Sequence, residues 1–178
     1  MDRIPYQATL AGRAYQDLTR LPVRVLLDNV RSAYNVGSFF RTGDATAVQH
    51  LYLCGITGHP PNREIAKTAL GAEDTVPWSH VPDATHTVFE MREQGYQVAA
   101  IETNLHAIDL FDWTPQFPVC VLFGNEVSGL QPDVAALVDA HIRIPMLGLK
   151  HSLNVATAGG VVLYELLRKY QQLRMQRV

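Results

Sequence analysis

Ile144-Pro-Met-Leu-Gly-Leu-Lys-His-Ser-Leu-Asn-Val-Ala156 is the stretch on which the reading of the fold turns. A strand over 141–144 stops at Pro145, whose ring nitrogen has no hydrogen to give a sheet ladder. Gly148 sits in an irregular loop, and Ser152 or Asn154 opens the last helix as its N-cap. Met146, Leu147 and Leu149 are too apolar for a solvated turn, so the loop reads as a pocket wall for an adenine-like ring or a thioether. Beyond it, Val155, Ala158, Val162, Leu166, Leu167, Tyr170 and Leu173 keep the helical period, which predicts a helix over about 153–175.

The strand–loop–helix pattern recurs upstream. Strands are expected over 23–28, 50–54, 96–101 and 117–123, with a short extended piece at 75–78. Between them helices are expected over 35–47, 62–70 behind an Asn62 cap, 82–94 with Gly95 as the stop, and briefly after Pro132. Residues 5–19 read as a short amphipathic extension, with Tyr6, Leu10, Ala14 and Leu18 on one stripe. Such alternation predicts an α/β domain over 1–178, a mostly parallel sheet flanked by helices. Ligands of such sheets collect beyond the carboxyl ends of the strands, here after Asp28, Ile101, Phe123 and Ile144.

The 178 residues are 47% hydrophobic and 18% charged, a composition that supports a packed core and excludes wholesale disorder. No apolar run approaches a membrane span, and no leader-like pattern opens the chain. Cys54 and Cys120 stand alone in apolar stretches, as suits buried thiols in a reducing cytoplasm. The net charge of −2 argues at first against a nucleic-acid partner. Its distribution argues otherwise. Residues 1–41 hold six Lys/Arg against three acids, residues 143–178 six against one, and residues 42–142 three against thirteen. Two basic ends that meet in the fold would make a cationic face on an acidic protein.

Dinucleotide, P-loop and nucleophile-elbow motifs are absent, and seven dispersed histidines give no metal-ligand spacing, so no metal site is expected. Two further segments stand out at the expected ligand edge. In Asn35-Val-Gly-Ser-Phe-Phe-Arg41-Thr42, Asn35 serves as a helix cap while Phe39 and Phe40 face the core. That leaves Arg41, able to hold a phosphate or sugar oxygen, as the residue without a structural account. In Leu122-Phe-Gly-Asn-Glu-Val-Ser-Gly-Leu130, Gly124 lets the backbone turn or approach a ligand closely. Glu126, directly after a buried strand, calls either for a partner or for a role at the helix starting near Pro132.

Taken together, NxGxxxRT at 35–42, LFGNExxGL at 122–130 and IPMxGxxxSLNVAxA at 144–158 resemble the signature blocks of the SpoU (TrmH-like) family of SPOUT-class RNA 2′-O-ribose methyltransferases. The resemblance implies an α/β domain with a deep trefoil knot in its C-terminal segment, a homodimer, and S-adenosyl-L-methionine in the knot loops. It implies cofactor contacts at Glu102, Thr103, Gly124, Ile144, Met146, Ser152 and Leu153. It makes Arg41, Asn35, Glu126, Ser152 and Asn154 the polar catalytic set, with Arg41 as the leading catalyst. A guanidinium is a poor base, so Arg41 suits a stabiliser of developing alkoxide charge. His151 stands where many relatives carry an acid. RNA is expected to meet Arg13, Arg31, Arg41, Lys150, Arg168, Lys169 and Arg174, with tRNA weakly favoured over rRNA. A non-catalytic knotted RNA-binding protein is the alternative.

Overall fold

In the computed structural model, which describes residues 19–176, all seven strands lie in one sheet and every paired neighbour runs parallel. The strands are β1 (Leu21–Asp28), β2 (Val48–Cys54), β3 (Trp78–Val81), β4 (Gln97–Ile101), β5 (Ile108–Asp109), β6 (Val119–Phe123) and β7 (Ala140–Arg143). Their spatial order is β3-β2-β1-β6-β4-β7-β5. Central strands covered on both faces need apolar residues throughout rather than at alternate positions, and Val119–Phe123 is buried at all five positions.

Alternation along the strands still sorts side chains between two cores. Val23, Val25 and Leu27 face one core with Phe39 and Phe40 of α1 (Ala33–Thr46) and Val162, Leu163 and Leu166 of α5 (Val155–Met175). α2 (Arg63–Ala69) joins the same side through Ile65 and Ala69. On the opposite face Leu26, Cys54, Cys120 and Leu122 meet Val88 and Met91 of α3 (Ala84–Glu93) and Val134 of α4 (Pro132–Ala135). Both thiols are buried, and burial pushes Cys120 up to about 12, so neither is poised as a nucleophile at neutral pH.

α1 and α5 approach closely at Gly159. A Cβ built there would stand 2.3 Å from the Phe39 ring, which itself packs on Phe123 at 5.0 Å between centroids. Phe39 is buried and has nowhere to retreat. Gly159→Ala is therefore expected to cost about 1–3 kcal/mol, despite alanine's better helix propensity, and denaturant unfolding checks this.

Several boundaries differ from the sequence reading. Ser32, not Asn35, caps α1: Ser32 Oγ accepts from the Asn35 N–H, and Asn35 lies inside the first turn. Of the two candidates for the α5 cap, Asn154 is the one that serves, accepting from the N–H groups of Ala156 and Thr157. The extended piece expected at 75–78 is displaced to 78–81, because a 3-10 turn at Ala72–Asp74 occupies the chain before it. The amphipathic helix expected over 5–19 falls almost wholly outside the described residues.

At one edge of the sheet the strands leave sequence order. β7 is hydrogen-bonded between β4 and β5, both of which precede it in sequence, so residues 102–107 pass from one side of β7 to the other. An expected C-terminal knot requires such a passage.

Candidate active site

The loops leaving the carboxyl ends of β4, β6 and β7 enclose a cavity of about 710 Å³. Ile101, Phe123, Leu130, Ile144, Met146 and Leu153 supply apolar wall, while Glu102, Asn104, Ser128 and Ser152 supply polar groups. Glu102, Thr103, Gly124, Ile144, Met146, Ser152 and Leu153, far apart in sequence, all line this one space. Glu102 is steadied from outside, its Oε2 lying 3.1 Å from His141 Nδ1. Arg143 ties the 102–110 connection to β7 by pairing with Asp109 and donating to the Leu105 carbonyl at 3.4 Å.

Glu126 does not serve the helix after Pro132. Its carboxylate turns to the start of α1, accepting from the N–H groups of Arg31 at 2.9 Å and Ser32 at 3.0 Å and from Asn35 Nδ2 at 2.8 Å. A negative charge there also faces the positive end of the α1 dipole. Partial burial opposes ionisation, but the hydrogen bonds from Arg31, Asn35 and Ser32 outweigh it and hold the carboxyl below its ordinary value.

Asn35 extends the chain of bonds. With its amide nitrogen on Glu126, its Oδ1 accepts from Asn154 Nδ2 at 3.1 Å. Asn154 Oδ1 is already committed to the α5 N-terminus, which sets its orientation too. Glu126, Asn35 and Asn154 thus link the three motif-bearing loops in one directed network. Glu126 and Asn154 line the cavity, as does Ser152, whose side chain makes no hydrogen bond among the described residues.

A second set of bonds fastens the cavity loop from beneath, and sequence reasoning missed it. Asp28, buried at the end of β1, accepts from the Gln131 N–H at 3.1 Å and from Asn29 Nδ2 at 2.7 Å. Desolvation raises its carboxyl above the ordinary range. The Asn29 carbonyl accepts from Asn125 Nδ2 at 2.8 Å, and Asn125 Oδ1 accepts from the N–H groups of Val127 and Ser128. Asn29 has φ +56°, a left-handed conformation that asparagine tolerates better than most residues. The Asp28-Asn29 pair just before the first motif was the available signal.

Arg41 stands apart. It is exposed on α1, does not line the cavity of its own chain, and makes no hydrogen bond or ion pair among the described residues. Arg31, Lys150 and Arg174 are likewise exposed, and Arg168 is exposed but forked onto Glu165 with bonds of 2.8 and 2.6 Å. Arg13 lies outside the described residues.

Lys169 is a correction. Its side chain is only 11% exposed, and its ammonium donates to the carbonyls of Leu110, Phe111 and Trp113 beside Glu165. It ties α5 to the turn after β5 and is not presented to RNA. Lys169→Met is expected to lower stability by about 1–3 kcal/mol through the orphaned carbonyls, with RNA affinity unchanged. Thermal unfolding and filter binding together check that pair of outcomes.

Among the described residues no three His, Cys, Asp or Glu side chains gather into a metal-binding group, and no helix is long and apolar enough to cross a membrane.

An open parallel sheet with a walled cavity beyond its strand ends defines an α/β ligand-binding domain. Residues 22–164 match the model of the SpoU rRNA Methylase family, and the chain belongs to that family. A candidate TrmH family tRNA/rRNA methyltransferase of Staphylococcus haemolyticus is 32% identical over 90% of this chain and 64% of its own length. The chain thus spans just under two thirds of that curated relative. The AdoMet-bound rRNA methyltransferase of Sinorhizobium meliloti superposes with TM-score 0.78 at 30% identity, covering 88% of this chain and 60% of that one. A structure from work on the 2-OH methylation of C/U34 on tRNA gives TM-score 0.74 at 26% identity, covering 84% of this chain and 97% of that one.

Proposed function

We propose that the protein transfers a methyl group from S-adenosyl-L-methionine to a ribose 2′-hydroxyl of tRNA or rRNA. The observation that carries this reading is the Glu126–Asn35–Asn154 network, which ties three distant motif loops together at the cavity. The cavity fits the cofactor in size and chemistry: about 710 Å³, apolar wall for an adenine ring and thioether, and Glu102 able to accept from ribose hydroxyls. When bound, the cofactor supplies an electrophilic sulfonium methyl.

The chain's own residues bind, orient and stabilise. Glu126 and Asn154 hold the cavity loops in register and leave the Asn35 amide a fixed orientation for contact with the incoming ribose. Arg41 holds the negative charge that develops on the 2′-oxygen as its proton leaves to a substrate phosphate or a neighbouring carboxylate. Since Arg41 lies away from its own chain's cavity, we place it at the cavity of a second copy, in a homodimer whose sites are shared. The exposed loop residues Leu147 and Leu149, at 100% and 97% exposure, favour cover by that second copy. The cytoplasm, where tRNA and rRNA are found in bacteria, is the proposed location. tRNA is the favoured substrate, supported by the match to nearly the full length of the C/U34 tRNA methylation structure.

Transfer of labelled methyl to separated tRNA and rRNA pools tests the reading. Incorporation sensitive to ribose 2′-O-methyl mapping is expected, greatest in tRNA. Cofactor binding without transfer to either pool would establish the non-catalytic alternative instead.

A further inference from the structure

On α1, Tyr34 and Arg41 are seven residues apart, which brings them to within roughly 20° of one another around the axis and about 10.5 Å along it. Long helical side chains lean toward the N-terminus, so the Arg41 guanidinium is directed back over Ser38 toward the turn that carries Tyr34. The opposite face of α1 holds the buried Val36, Phe39 and Phe40, so the core has no need of the Tyr34 ring. Tyr34 as a residue is 45% exposed. Its hydroxyl makes no hydrogen bond among the described residues.

The backbone beneath it is held firmly. The Tyr34 carbonyl accepts from Ser38 Oγ at 3.0 Å and from Thr68 Oγ1 of α2 at 2.9 Å, and the next residue, Asn35, is locked by Glu126 and Asn154. An aromatic ring on a rigid, doubly anchored helical turn beside the motif network is pre-organised as a contact surface. Charge sets what it contacts. The guanidinium groups of Arg92, Arg143 and Arg168 are each paired with a carboxylate, whereas those of Arg31 and Arg41 face water without one among the described residues. An exposed aromatic on the same helix face as the uncommitted Arg41, with the uncommitted Arg31 three residues before it in the chain, matches a nucleotide, with base on ring and phosphate on guanidinium.

We propose that the Tyr34–Ser38–Arg41 face of α1 is a nucleotide platform: Tyr34 stacks on an unstacked base of single-stranded RNA and so positions the ribose addressed by Arg41. The inference rests on the methyltransferase reading and adds the form of the substrate, a nucleotide splayed out of any helix. Its specificity is shape-based, since every base offers a π-face.

The full chain carrying Tyr34→Ala, Tyr34→Phe or Tyr34→Trp tests this with tRNA and rRNA pools, reading RNA affinity by filter binding and kcat and KM by methyl transfer. Tyr34→Ala is expected to weaken RNA affinity and raise KM for RNA about tenfold or more, leaving cofactor affinity unchanged by calorimetry. Phe and Trp are expected to restore both. Equal RNA affinity and transfer for Tyr34→Ala and wild type would overturn the platform while leaving the enzyme reading intact. Phe failing as badly as Ala would overturn stacking in favour of the hydroxyl. A changed oligomeric state on sedimentation of Tyr34→Ala would overturn it in favour of a subunit contact. Wild type that binds RNA through Tyr34 but transfers nothing would uphold the platform and overturn the enzyme reading.

Discussion

Arg41→Ala is expected to slow methyl transfer about 100- to 1,000-fold, the usual effect of removing one group that stabilises charge developing in a transition state. Cofactor affinity should stay within a few fold, because the charge that Arg41 is proposed to hold develops on the RNA 2′-oxygen and not on the cofactor. Folding stability should not move, since the side chain is exposed and has no partner among the described residues to lose. Arg41→Lys keeps the charge but loses the planar fork, so partial recovery is expected. Mixed dimers separate the subunits: pairing an Arg41→Ala chain with a chain defective in the cavity should restore one competent site. Undiminished turnover of Arg41→Ala in single-turnover assays would refute the role.

Glu126→Ala carries the second large effect and differs in kind. It removes the common acceptor of Arg31, Ser32 and Asn35, so the cavity loop loses its hold on α1 and Asn35 its hold on Asn154. Displacing reacting groups by about 1 Å can cost on the order of 100-fold, so transfer should fall at least that far. Cofactor affinity should fall with it, unlike in Arg41→Ala. The exposed bonds limit the stability loss to about 1–2 kcal/mol. Because hydrogen bonds hold this carboxyl below its value in the unfolded chain, its stabilisation is complete above the ordinary carboxylate range. It is lost as pH falls through the lowered folded-state value. Acid titration of thermal stability should therefore be flatter for Glu126→Gln than for wild type on that limb.

What could be read from the sequence followed the range of the interactions responsible. Val119–Phe123 and the stripe of α5 carry local periodicity, and their elements appear where expected. The caps did not resolve locally, since Ser32 and Asn35 are both good cap residues three apart. Glu126, 91 residues away, decides between them by taking the Asn35 amide. Asp28 closed the strand expected over 23–28, but the Gln131 N–H that it accepts from lies 103 residues on. Lys169 was counted as surface charge because its carbonyl partners at 110, 111 and 113 are invisible to composition. Its place next to Tyr170 on the apolar stripe was a hint of burial. Arg41 is the opposite case: a residue without a structural role in sequence still has none in the folded chain.

The position of β7 between β4 and β5 also bears on how the protein is made. As the chain leaves the ribosome, β4 can join β6, but among the described residues β5 has only β7 as its hydrogen-bonded neighbour in the sheet, more than thirty residues behind it. Pairing over such separations is slow because loop closure precedes any gain from contact. Met146, Ser152 and Asn154 arrive with the segment after β7, so the nascent domain gains its ligand cavity only when that late segment docks. Cofactor binding during synthesis would thus report the final insertion step, not collapse of the sheet.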